Sequence, residues 1–129
     1  MMRTKKQIEA EIAERVTRFK KDFIGRGPLE TKVYIFDDMV VARMKDTLTP
    51  AERNLADQVD CIQCWEAIKE IRSLLIEQGR DQLEAIIYDT LKVKVVSLHN
   101  DVSTRTGESV ILFILDREPE FEQPDCWRK

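Results

Sequence analysis

The chain has 129 residues, enough for one domain whose hydrophobic core sustains folding without disulfides or metal. Its 43% apolar and 35% charged residues describe a globular chain with a heavily charged surface and exclude a disordered one. A net charge of −3, from 24 acidic and 21 basic residues, argues against a general nucleic-acid binder, which carries a basic excess. No apolar run approaches the ~18 residues of a membrane span. The longest, Val110 to Leu115, has the length of a strand. The N-terminus lacks an apolar signal-like stretch, so no secretory signal is expected. The three cysteines are then expected to be reduced thiols in a cytosol.

Residues 4–24 predict one amphipathic helix. Ile8, Ile12, Val16, Phe19 and Phe23 recur at helical spacing and form a single apolar stripe. Thr4 followed by Gln7 fits a capping box, and Gly25 is placed to end the helix in the left-handed conformation. The basic residues along it, Arg3, Lys5, Lys6, Arg18, Lys20 and Lys21, are expected on a solvated face. Gly25-Arg26-Gly27-Pro28 is then a tight connector, since Pro28 blocks both helix continuation and ladder donation.

Thr31 to Phe36 and Met39 to Met44 predict two strands joined by an Asp37-Asp38 turn. Alternation puts Val33 and Ile35 on one face and Tyr34 and Phe36 on the other. Both faces are apolar enough to be covered, one by helices and one by a partner. Leu48-Thr49-Pro50-Ala51-Glu52 is the cleanest local signal: N-cap, Pro at the first helical position, and Glu52 closing a capping box. The apolar pattern Leu55, Val59, Ile62, Trp65, Ile68, Ile71 and Leu75 carries a helix on to Gly79, with a bend or break near Asp60. A further helix, Arg80 to Leu91, turns Leu83, Ile86 and Ile87 inward. Val93 to Leu115 predicts a second hairpin with the polar loop 103–107, and residues 118–129 a flexible C-terminal tail.

The order α-β-β-α-α-β-β describes an α+β fold of two layers, in which an antiparallel four-stranded sheet made of two hairpins packs against helices. Residues 1–117 would form the single domain. Val110 to Leu115 is apolar at both parities, and Tyr34 and Phe36 add to the second sheet face. A homodimer is therefore expected.

Three constellations could carry chemistry. Cys61-Ile62-Gln63-Cys64 has redox spacing, but it sits inside a continuous helical pattern, far from the Thr49 cap, where no helix dipole would activate a thiol. Cys61, Cys64, His99 and Cys126 would make a zinc set, without the second paired ligand motif that zinc sites usually show. A thiol-redox or zinc-binding protein using Cys61 and Cys64 is the alternative reading. His99, the only histidine, shares a strand face with Asp101, near the hydroxyls of Ser103, Thr104 and Thr106. A triad is disfavoured, because neighbouring strand residues seldom converge on one point of attack. No catalytic residue, cofactor or metal is expected. Arg26, in its turn, could be presented to an anion or an acidic partner.

Three segments together, Gly25-Arg26-Gly27-Pro28, Leu48-Thr49-Pro50-Ala51-Glu52 and His99 to Glu108, resemble the bacterial MpsC-type family over roughly residues 4–116. The resemblance implies an accessory protein of a sodium-translocating, membrane-potential-generating system whose membrane components are also linked with inorganic-carbon uptake. It implies no enzymatic apparatus, partners among membrane-associated transport components, and a location in the cytoplasm or at the inner membrane face. The chain could not itself be the pore. Arg26, His99, Asp101, Ser103, Thr104, Arg105, Thr106 and Glu108 are the expected partner-binding residues. Cys61 to Trp65 and the tail with Cys126 and Trp127 depart from the family pattern.

Overall fold

The structure is a computed structural model that describes residues 3–25 and 27–122. Eight elements follow in chain order: α1 (Lys5–Ile24), β1 (Glu30–Phe36), β2 (Met39–Lys45), α2 (Pro50–Ala56), α3 (Ile62–Gln78), α4 (Arg80–Leu91), β3 (Val95–Val102) and β4 (Ser109–Leu115). The fold is α+β, with one antiparallel sheet of order β1-β2-β4-β3.

The helix ends are set by the capping chemistry read from the sequence. Thr4 and Gln7 form the reciprocal box that starts α1, and Gly25 closes it at φ 99. Thr49 and Glu52 form the second box at α2. The helical pattern beyond Thr49 does break: α2 stops at Ala56, and Asp60 takes φ 55 just before α3 begins. That break resets the helical phase. The buried stripe of α3 is Ile68, Arg72 and Ile76, while Leu55, Val59, Ile62 and Ile71 are exposed. The expected continuous stripe through Ile71 is thereby corrected.

One face of the sheet carries the core. Val33 and Ile35 of β1, Val40, Ala42 and Met44 of β2, and Ile111, Phe113 and Leu115 of β4 are buried against Ile8, Ile12, Val16 and Phe19 of α1 and Leu83, Ile87 and Leu91 of α4. Leu48, Ile68 and Val102 make a smaller cluster at the end of the sheet, tying α3 to the last residue of β3. Gly79, between α3 and α4, packs so tightly on the Phe19 ring that a Cβ would lie 2.4 Å from it. Glu9 of α1 accepts the Ile35 N–H of edge strand β1 at 2.9 Å, which occupies a donor that an open edge would offer to other chains. The segment after β4 starts anchored, for Phe121 packs against the core and the Glu122 N–H donates to the Arg3 carbonyl.

Candidate interaction surface

The second face of the sheet has no helix on it among the described residues. Directly opposed residues of an antiparallel pair point to the same face, so the register assembles three rows across all four strands. The first runs Phe36–Met39–Ile114–Ser97, the second Tyr34–Val41–Leu112–His99, and the third Lys32–Arg43–Val110–Asp101. Six of the eight side chains in the first two rows are large and apolar. Phe36 is 52% and Tyr34 38% exposed, and their rings stack at 6.2 Å. In the third row the charges are divided: Lys32 and Arg43 lie on the β1–β2 side and Asp101 on the β3 side.

The structure places the expected site residues around this face. His99 and Asp101 lie on it, in β3, both exposed. Asp101 is engaged by Lys69 of α3 at 3.1 Å. The Ser103 hydroxyl accepts the Thr106 N–H, and the Thr106 hydroxyl accepts the Glu108 N–H, each at 3.2 Å. These two hydroxyls therefore serve to fold the loop, in the manner of turn-forming side chains. Gly107, at φ 80, closes it. Glu108 reaches Arg43 of β2 at 2.6 Å. Thr104 and Arg105 stand at the tip and wall a cleft of about 430 Å³ with Ala56, Asp57 and Trp65. His99, Asp101 and the 103–108 loop thus form one continuous region at the β3–β4 end of the molecule. Arg26 lies outside the described residues.

Two buried cations were missed by the sequence reading. Lys20 is 1% exposed, not solvated, and its Nζ lies 3.3 Å from the Ser109 hydroxyl. Burial, with the Arg72 charge adding to it against a weaker pull from Glu52, lowers its pKa to about 7. Arg72 is 2% exposed and forks onto Glu52, with Nε to Oε2 at 2.8 Å and Nη2 to Oε1 at 2.6 Å, while Nη2 also donates to the Thr47 carbonyl. Burial alone would raise the Glu52 pKa. Hydrogen bonds from Arg72 and from the Thr49 backbone outweigh it and hold the carboxyl below its usual range. Both cations carried a visible signal. Lys20 follows Val16 by four, and Arg72 stands four from both Ile68 and Ile76, so each occupies a core position of its helix.

The cysteine setting differs from the expected one. Cys61 is the N-cap of α3, not a residue inside a helix, and it is bonded to Cys64 as a disulfide. The expectation of free thiols is overturned for this pair. Its physical origin is the break after Ala56, which puts Cys61 where a new helix begins. With both sulfurs committed to each other, the zinc set loses two of its ligands. No group of three or more His, Cys, Asp or Glu able to hold a metal occurs among the described residues, and Cys126 lies outside them. No helix among them is long and apolar enough to cross a membrane.

Residues 4–117 match the family described as Na+-translocating membrane potential-generating system (MpsC). The uncharacterized protein YbcI of Bacillus subtilis (strain 168) is 38% identical over 120 residues, which is 93% of this chain and 94% of YbcI. No solved structure matches the chain.

Proposed function

The chain belongs to the MpsC family, and from that premise we propose that it is a non-enzymatic accessory or regulatory subunit of a sodium-translocating, membrane-potential-generating or inorganic-carbon uptake system, working as a homodimer closed through the open face of its sheet. The observation that carries this reading is the uncovered pair of apolar rows, Phe36–Met39–Ile114 and Tyr34–Val41–Leu112. Contiguous apolar surface of this kind marks an interaction site.

Charge placement favours a second copy as the occupant. Two sheets stack face to face about 10 Å apart with strands nearly aligned. A two-fold axis between them, parallel to the strands, lays β1 of one protomer over β3 of the other. Lys32 then meets the partner's Asp101, Tyr34 meets the partner's His99, and Val41 meets the partner's Leu112. The contact is isologous and closes at two subunits. His99 and Asp101 become dimer contacts in this arrangement. The 103–108 loop, at the end of the sheet, stays free to dock on a membrane component from the cytoplasmic side.

Co-purification from the native membrane fraction tests the role. A tagged chain should retain transport components, and Arg105→Glu with Thr104→Ala should release them. Recovery without any membrane component, or retention unchanged by the loop variant, would contradict the reading.

A further inference from the structure

We infer that Cys61 and Cys64 form a reversible thiol–disulfide exchange site for a low-molecular-weight thiol. The site is independent of the dimer proposed above. Four observations carry it. The two cysteines are already paired. Cys61 is the N-cap of a helix of 17 residues, and its Sγ accepts the Cys64 N–H at 3.1 Å. The first turn of that helix contains no acidic residue to compete with a thiolate. Both cysteines are only partly buried, at the first turn of α3. Partial burial leaves each sulfur within reach of a small thiol.

The exchange balances as follows. The thiolate of one small thiol attacks Sγ of Cys64, the Sγ–Sγ bond breaks, and Cys61 leaves as a thiolate. That leaving group is stabilised where it forms, by the Cys64 N–H and by the positive end of α3. A second small thiolate attacks the small-molecule sulfur of the mixed disulfide and expels the Cys64 thiolate. Two electrons have then passed from two thiols to the protein pair, two protons settle on the protein sulfurs, and one small disulfide is released.

The full chain carrying Cys126→Ser tests this, so that a single pair remains. It is equilibrated in glutathione buffers from wholly reduced to wholly oxidised, quenched with iodoacetamide and weighed. The expected result is a passage between no added group and two added groups within that range. In the reduced protein, Cys61 should be alkylated about tenfold faster than free cysteine at pH 7, as an activated N-cap thiolate is. Cys61→Ser retains an N-cap oxygen and should fold, and its Cys64 should form a mixed disulfide with oxidised glutathione. The assignment is overturned if the pair stays in one form across all buffers, or if Cys61 reacts no faster than free cysteine.

Discussion

Arg72 and Glu52 meet as a two-bond fork, Nε to Oε2 at 2.8 Å and Nη2 to Oε1 at 2.6 Å, and the same carboxylate closes the capping box of α2 through the Thr49 N–H. One side chain thus serves two purposes. It starts α2 and it neutralises the cation at the centre of α3. Removing one partner of such a buried pair leaves the other uncompensated, at a cost of about 3–5 kcal/mol. Arg72→Met should therefore destabilise the fold on that scale, measured by urea unfolding, while the double variant Arg72→Met, Glu52→Gln should recover part of the loss. The Glu52 carboxyl is held below its usual range, so its contribution is present at neutral pH and falls as pH drops through the folded value. Glu52→Gln should flatten that acid limb.

Lys20 predicts a dependence of the same sign in a higher pH window. Its pKa falls from 10.5 to about 7 on folding. Below pH 7 both states hold the proton, and the folded state carries the whole cost of a buried charge. Between 7 and 10.5 only the unfolded chain keeps the proton, so stability rises with pH, by about 1.4 kcal/mol per unit from this group. Lys20→Met should be more stable than the parent at pH 6, and its advantage should shrink steadily towards pH 10. Urea unfolding of both proteins at several pH values checks this. A constant difference between them would contradict the burial of the ammonium.

Gly79 predicts a steric effect. It sits at φ −90, where any residue can stand, so its backbone does not demand glycine. The Phe19 ring at 2.4 Å from the missing Cβ does. Gly79→Ala should cost about 1–3 kcal/mol, the usual range for overpacking. Phe19→Leu should relieve part of it, which a double-variant cycle in thermal unfolding would measure.

Much of this fold was legible because local signals and the global pattern agree. The two capping boxes, Gly25, the Asp37-Asp38 turn and the α4 limits all rest on short-range chemistry, and each stands where the sequence places it. The failures share one cause. Lys20 and Arg72 occupy core positions of their helices, but a cation there is compatible with burial only if a tertiary partner awaits it. Ser109, Thr47 and Glu52 come from distant parts of the chain. The same holds for Cys61. The break near Asp60 was visible, but its consequence, a cysteine at a helix N-cap, depends on where α3 restarts. Of the surface, the grouping of His99, Asp101 and the 103–108 loop followed from one hairpin. The three aligned rows did not, since they need the β2–β4 register, which pairs strands from the two separate hairpins.

The central claim is that the open sheet face joins two copies. Leu112 stands in the middle of the central row, between Val41 and His99. Sedimentation velocity of the parent chain and of Leu112→Glu tests the claim most directly, with circular dichroism to verify that the variant is folded. The account predicts a dimer at micromolar concentration for the parent and a folded monomer for the variant. A parent chain that remains monomeric at tens of micromolar, or a variant that remains dimeric, would contradict it.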